Sequence, residues 1–200
     1  MKPLVYVFLA PSRSGKDSLA EELYQILPPD SVRLYKWAAP FKRVVEGMYG
    51  LKPYSLEDED IRNSIIPGTK KTYLDLMVNF YHIKDQLVDS SFWERPTFKL
   101  LEQAKEQQKY HLMFTDTRSK NEVDAIVDLV QNSAYELVLV RLYRANNKGL
   151  SSDLLLDRNH RLLFSHALQN LTYHIPDSDD YMKHIVPIAM ELSKLASREQ

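Results

Sequence analysis

The sequence contains no cysteine among its 200 residues. This absence excludes disulfide bonds, catalysis by a thiolate and zinc sites with cysteine ligands, and it suits a reducing compartment. Glycine is scarce as well, with 5 residues, and no glycine- or proline-rich linker divides the chain. Because internal repeats are also missing, we expect one domain over residues 1–200.

The chain also lacks a strong excess of positive or negative charge, and it contains no long hydrophobic run. A formal net charge of -1 at pH 7 argues against a protein that coats duplex nucleic acid, because such binding depends on clustered lysine and arginine. The most apolar N-terminal run, Leu4–Leu9, is too short to cross a membrane and lacks the cleavage region of a signal peptide. We therefore expect a soluble cytoplasmic protein with no membrane partner.

Apolar strand patterns alternate with helical patterns along the chain. The run Leu4–Leu9 is typical of a central strand that is covered on both faces. Segment 52–68 is polar and predicts irregular structure. The other predicted strands are 32–37, 112–114, 136–143 and 171–175. The other helical patterns lie near 19–27, 41–49, 73–81, 98–107, 123–130, 154–168 and 181–196. This alternation predicts an α/β fold with a mostly parallel sheet of about five strands, and ligands at the carboxyl ends of the strands.

The segment directly after the first predicted strand approaches the phosphate-binding pattern GxxxxGK[ST]. Loop amides and the positive end of the next helix would surround phosphate oxygens, while Lys16 would reach the β- and γ-phosphates of ATP. The predicted nucleotide contacts are Ser12, Arg13, Ser14, Gly15, Lys16, Asp17 and Ser18. The alternative interpretation is a plain tight turn with Ser14 as a helix cap and a solvated Lys16.

Two positions depart from the general pattern. Ala10 replaces the first glycine, and Asp17 stands where serine or threonine usually ligates magnesium. A magnesium ion would then be held through water or partly by Asp17. Ser18 and Asp116 are the other candidate metal ligands.

Two segments resemble the bacteriophage-type deoxynucleoside monophosphate kinases. Residues 14–18, SGKDS, are similar to the SGKDT end of that family's phosphate loop, in which the aspartate is expected. Residues 115–122, TDTRSKNE, resemble the family's SDVRFxNE segment and also follow a predicted buried strand. Looser similarity joins residues 37–42 to a FADPLK stretch and residues 67–93 to a helical acceptor-side region. The resemblance spans nearly the whole chain in order.

The resemblance implies a three-layer P-loop kinase fold. A helical acceptor-binding insertion would occupy about residues 50–100 and a lid about residues 144–168. The implied reaction transfers the γ-phosphoryl group of ATP, with Mg²⁺, to a deoxynucleoside monophosphate. A homodimer, and the host cytoplasm for a viral chain, are further implications.

Phosphoryl transfer requires positioned cations more than covalent chemistry. The candidate catalytic residues are Lys16, Arg13, Asp116, Arg118 and Arg144. Asp116 would order magnesium-bound water or accept a proton, or would instead cap the helix that begins near residue 121. Arg118 would bind the acceptor's phosphate. The further acceptor-side candidates are Trp37, Lys42, Lys70, Tyr73 and Trp93, although the aromatic residues could equally belong to the core.

Two alternatives stay open at this point. Animal-type phosphomevalonate kinases share a similar SGKD loop, so another phosphorylated metabolite is an alternative acceptor. The chain lacks the family's Ser-Glu lid pair and has Ala39 in place of an aspartate. A nucleotide-binding regulator without catalytic activity is therefore the second alternative.

Overall fold

The computed structural model describes residues 2–11, 14–87, 94–145, 153–176 and 180–197; the side chains of residues 81–87 and 153–159 are outside this description. The described strands are β1 (Leu4–Leu9), β2 (Val32–Tyr35), β3 (His111–Phe114), β4 (Glu136–Arg144) and β5 (Ala167–Ile175). The described helices are α1 (Lys16–Ile26), α2 (Ala39–Tyr49), α3 (Glu59–Asn63), α4 (Tyr73–Leu87), α5 (Arg95–Gln107), α6 (Lys120–Gln131), α7 (Asp153–His166) and α8 (Met182–Ala196).

The described strands form one sheet in the order β2-β3-β1-β4-β5, and every neighbouring pair is parallel. The central strand is β1, whose six residues are all buried, as its continuous apolar sequence predicts. Val7 pairs with Phe114 of β3 on one side and with Leu139 of β4 on the other. The predicted α/β fold with a five-stranded parallel sheet is therefore confirmed.

The main core packs one face of this sheet against α1 and α8. Tyr6 and Phe8 point to this side together with Leu19 of α1 and Leu192 of α8. The phenol of Tyr6 donates a hydrogen bond of 3.1 Å to the carbonyl oxygen of Leu192, so its polar atom is satisfied inside the core. Burial raises the pKa of Tyr6 well above its ordinary value, so the phenol stays protonated. This packing joins the first helix to the last described one.

The chain divides into two compact units. One consists of Met1–Lys36 and Thr97–Gln200 and contains the sheet, and the other is Trp37–Pro96. Inside the second unit the apolar side chains of Phe41, Val45, Leu56, Ile66 and Tyr73 form a separate core. The expectation of one domain with an acceptor-binding region near 50–100 and a lid near 144–168 stays a prediction.

The prediction of irregular structure over 52–68 was wrong. This segment contains a 3-10 helix at Ser55–Glu57 and the short helix α3. The carboxylate of Asp58 accepts hydrogen bonds from the backbone N–H groups of Asp60 and Ile61 and so caps α3. A helix of one turn is too short to show hydrophobic periodicity, which explains why the sequence pattern missed it.

Other boundaries moved by a few residues. Helix α7 ends at His166 and β5 begins at Ala167, whereas the pattern extended the helix to 168 and began the strand at 171. Pro187 lies inside α8. Over the described part of the chain, no helix combines the length and hydropathy that a bilayer crossing requires.

Candidate active site

The loop between β1 and α1 reverses the chain at a single glycine. Gly15 has φ 92° and ψ 9°, and α1 starts at the next residue. That left-handed conformation strains any residue with a Cβ atom. Steric crowding disfavours a larger residue at Gly15 less than the backbone conformation does. An added Cβ would lie 3.4 Å from the nearest atom, Cδ1 of Ile185. The reversal places the first amides of α1 where the central strand ends, and these amides have no partner within the helix.

Lys16 occupies the first position of α1 and is nearly buried. Its side chain is 10% exposed, and its Nζ lies 3.6 Å from the carboxylate of Asp17, whose side chain is 53% exposed. This ion pair joins two adjacent residues in the first turn of α1, and the ammonium group is mostly shielded from solvent. The alternative of a solvated Lys16 is therefore wrong.

Ser14 is 1% exposed, and its hydroxyl has no hydrogen-bond partner among the described residues. It does not cap α1, because the cap position belongs to Gly15 and no side chain serves as a cap there. A buried hydroxyl without a partner costs about 1–3 kcal/mol. A phosphate oxygen at the loop could remove that cost, so Ser14 fits the predicted phosphate site. The neighbouring candidates Ser12 and Arg13 lie outside the described residues.

The second predicted segment follows β3 at the same edge of the sheet. Asp116 comes two residues after Phe114, which pairs with Val7 of β1, so this loop and the phosphate loop both follow neighbouring strand ends. Ser119 caps α6 by accepting a hydrogen bond from Glu122 N, and Glu122 accepts one from Ser119 N in return. The proposed capping role of Asp116 is therefore wrong. The side chain of Arg118 is exposed.

A buried histidine fixes this segment from the other side. His160 of α7 is 2% exposed, and its Nε2 lies 3.0 Å from the carbonyl oxygen of Thr117. The geometry requires an Nε2–H donor, because a carbonyl oxygen only accepts. Nothing in the sequence around His160 indicates this contact.

The arginines of β4 point to opposite faces of the sheet. The guanidinium carbon of Arg144 lies 5.2 Å from the ring centroid of Tyr181, and that of Arg141 lies 4.8 Å from the ring of Phe164. Tyr181 also has its hydroxyl 3.1 Å from the hydroxyl of Ser18. Sequence reasoning missed Tyr181, because it stands alone at the start of a helical pattern and belongs to no motif.

The acceptor-side candidates of the second unit have structural contacts. Lys42 Nζ donates to Glu57 Oε2 at 2.8 Å, and Tyr73 is 4% exposed with an edge-to-face contact to Tyr49. Trp37 is buried, and Lys70 is exposed. Trp93 lies outside the described residues. A role of any of these residues in acceptor binding stays a prediction.

The candidate metal ligands are oxygen donors, which suit magnesium. Asp17 and Asp116 follow the ends of neighbouring strands, and Ser18 shares its hydroxyl with Tyr181. No group of three or more His, Asp or Glu that could hold a metal exists in the part of the chain that the structure describes.

Neither a protein-family model nor a curated protein matches this sequence. Solved structures do match. A "putative kinase" from Chloroflexus aurantiacus J-10-fl has a TM-score of 0.50 at 11% identity, over 96% of this chain and 97% of that chain. Shikimate kinase from Aquifex aeolicus VF5 has a TM-score of 0.44 at 12% identity, over 96% of this chain and 98% of that chain. Thymidylate kinase from Ehrlichia chaffeensis has a TM-score of 0.40 at 12% identity, over 98% of this chain and 100% of that chain.

Identities this low establish the fold and not the substrate. The putative kinase, at a TM-score of 0.50, matches nearly all of this chain. The chain therefore has an α/β fold like that of this solved structure, with a five-stranded parallel sheet in its described residues.

Proposed function

We propose that this protein is a kinase that transfers the γ-phosphoryl group of ATP to the phosphate of a small acceptor, with a deoxynucleoside monophosphate as the preferred acceptor. One observation carries the proposal. The buried central strand turns at a left-handed Gly15 directly into a helix whose first residue is the nearly buried Lys16. Backbone amides, a helix N-terminus and one ammonium group then surround the position where a triphosphate would lie.

The reaction is an in-line displacement at the γ-phosphorus. A bond forms from an acceptor phosphate oxygen, the bond to the bridging oxygen breaks, and ADP leaves with the electron pair. Lys16 and the loop amides stabilise the charge on the transferred group and on the leaving oxygen. Arg144 is the candidate for stabilising the negative charge that Lys16 and the amides leave uncompensated. Strand β4 ends at that residue and pairs with the central strand β1.

A general base is not required for this acceptor. The second pKa of a phosphate monoester is about 6, so its oxygen is mostly ionised at neutral pH. Asp116 is therefore better suited to hold magnesium-bound water than to remove a proton. Asp17 and Ser18 would be the other residues near the ion, which when bound supplies charge neutralisation between the β- and γ-phosphates.

The choice of acceptor rests on the segment after β3. Its residues resemble those of the deoxynucleoside monophosphate kinases, and Arg118 offers an exposed guanidinium group at the edge of the sheet that also carries the loop. A guanidinium group binds phosphate in a bidentate way. Another phosphorylated metabolite satisfies the same chemistry, so the acceptor has to be identified by experiment.

An ADP-release assay tests the proposal. Wild-type protein with magnesium and ATP is offered the four deoxynucleoside monophosphates, their ribonucleotide counterparts and phosphomevalonate. We expect ADP formation that depends on a deoxynucleoside monophosphate. Turnover with phosphomevalonate alone would support the other kinase, and ATP binding without turnover on any acceptor would support a regulator.

A further inference from the structure

We propose that Tyr181 is a positioning residue that holds both Ser18 and Arg144 at the phosphate loop. This inference rests on the proposed kinase function, since it assigns a role within the same site. It concerns three neighbours of one side chain: its hydroxyl lies by that of Ser18, its ring edge borders the space where a Cβ of Gly15 would be, and its ring face lies by Arg144.

The first contact fixes the direction of the Ser18 hydroxyl. The two hydroxyl oxygens are 3.1 Å apart and belong to residues separated by 163 positions in the sequence. A serine hydroxyl has one proton and two lone pairs, so one bond to the phenol leaves it able to bind a further ligand. The bond to Tyr181 restricts the rotation of the Ser18 hydroxyl. It therefore sets the direction of the lone pair or proton that is left to bind a ligand.

The second observation places the ring close to Gly15, the residue directly before α1. A Cβ atom at Gly15 would lie 3.6 Å from both Cδ2 and Cε2 of Tyr181, which is ordinary van der Waals distance. The backbone that carries the ring is fixed at the start of α8, because the carbonyl oxygen of Tyr181 accepts hydrogen bonds from the N–H groups of His184 and Ile185.

The third contact directs one arginine of β4 and not the other. The guanidinium carbon of Arg144 is 5.2 Å from the Tyr181 centroid, within the range of a cation–π interaction. Arg144 follows Val140 and Leu142, which face α1 and α8, whereas Arg141 contacts Phe164 of α7. Among the arginines whose side chains the structure describes, Arg144 is thus the one that Tyr181 holds on the side of the phosphate loop.

The test compares Tyr181→Phe, Tyr181→Leu, Ser18→Ala and the double variant Ser18→Ala with Tyr181→Phe in the full chain. Each is measured for the Kd of MgADP by calorimetry, for kcat and both KM values, and for Tm. Tyr24→Phe is the matched control, because Tyr24 is 39% exposed on α1 and lies outside the site. We expect it to behave as wild type.

Removal of the hydroxyl alone should weaken MgADP binding about threefold to tenfold, the range of one hydrogen bond. The double variant should bind as weakly as Ser18→Ala alone, because both changes remove the same bond. Tyr181→Leu should in addition lower kcat about twofold to fivefold, because Arg144 loses the ring that orients it. A residue that only packs the core would lower Tm without these changes.

Wild-type MgADP affinity in both Tyr181 variants, with only a lower Tm, would overturn the positioning role. Additive losses in the double variant would overturn it as well, since Tyr181 and Ser18 would then act separately. MgADP binding that depends on Tyr181, together with no phosphoryl transfer by the wild type, would retain this inference and reject the kinase function. Absence of MgADP binding by the wild type would reject both.

Discussion

The phosphate loop and the charged cluster of the second unit both place lysine beside carboxylate, but they use the charges differently. The charged cluster consists of Lys42, Arg43, Glu46 and Glu57, in which the cations donate to the carboxylates over 2.6–2.9 Å. In the loop the distance from Lys16 to its neighbour's carboxylate is 3.6 Å, and that carboxylate is half exposed.

The buried polar groups differ in the same way. Glu46 is 2% exposed and accepts hydrogen bonds from the backbone N–H groups of Tyr54 and Leu56 as well as from Arg43. Ser14 of the loop is equally buried, yet its hydroxyl has no partner within the described residues. A cluster that satisfies its own charges stabilises a fold, whereas a loop with unused donors and acceptors is suited to a ligand.

The largest expected effect is on catalysis. Lys16→Met should lower kcat/KM about 100- to 1,000-fold, because a positioned cation at the transferred phosphoryl group is lost. Circular dichroism and Tm should stay close to wild type, since the ion pair with Asp17 is partly exposed and contributes little. Lys42→Met is the matched control and should lower Tm while kcat changes less than about twofold. A selective rise in acceptor KM in Lys42→Met would instead confirm the predicted acceptor role of Lys42.

The next effect is on stability and belongs to the charged cluster. Glu46→Ala should lower the free energy of unfolding by about 2–3 kcal/mol, because it leaves the N–H groups of Tyr54 and Leu56 without an acceptor. Glu102→Ala, at an exposed position of α5, should change stability by less than about 0.5 kcal/mol. Denaturant unfolding measures both. Equal effects of the two variants would remove the distinction between the cluster and an ordinary surface.

Two glycine-to-alanine substitutions, one at Gly15 and a control at Gly47 of α2, test the backbone conformation before α1. Gly15→Ala should destabilise the protein by about 1–2 kcal/mol, because φ 92° is unfavourable for alanine. Gly47→Ala should have the opposite sign and stabilise by about 0.5–1 kcal/mol, because Gly47 lies inside α2 and an added Cβ meets nothing within 4 Å. Urea unfolding of both variants measures the difference. A neutral Gly15→Ala would show that the loop has another conformation in solution.

The smallest effect is on the pH dependence of stability and involves neither region. Burial lowers the pKa of His111, whose Nδ1 accepts a hydrogen bond of 3.0 Å from Leu4 N. The unfolded state therefore binds the proton more tightly, so stability is complete above about pH 6.5 and falls as the pH drops toward the lower folded pKa. His111→Asn keeps an acceptor and should reduce this loss by about 1 kcal/mol or less. Unfolding at pH 7.5, 6.5 and 5.5 measures it, and an unchanged acid slope would contradict it.

Much of the fold was predictable because its strongest signals are local. The run Leu4–Leu9 is apolar throughout, which a strand buried on both faces requires, and the structure places it at the centre of the sheet. The loop is equally local, since Gly15 and Lys16 follow that strand directly. The helix α3 was missed because its five residues are too few to show a hydrophobic period.

The candidate site was predictable only where a motif carried it. Residues 14–18 and 115–122 were recognised from adjacent residues, but Tyr181 and His160 act through contacts with residues 163 and 43 positions away. A single tyrosine or histidine has no spacing pattern, so only the folded chain shows which loop it contacts. The charged cluster shows a contact that the sequence did not indicate, because Lys42 lies in a segment similar to a kinase motif and also pairs with Glu57. Its role in acceptor binding stays a prediction.

The side chains of Tyr181 and Ile185, which border the space beside Gly15, are made much later in synthesis than Gly15 itself. A nascent chain that has emerged only as far as β5 already contains the whole phosphate-loop sequence, but neither of these side chains. The neighbours of β1 in the sheet, β3 and β4, are likewise translated later than the loop that they flank. The candidate nucleotide site is therefore encoded early and completed late, when the ribosome has made the helix that begins beside it.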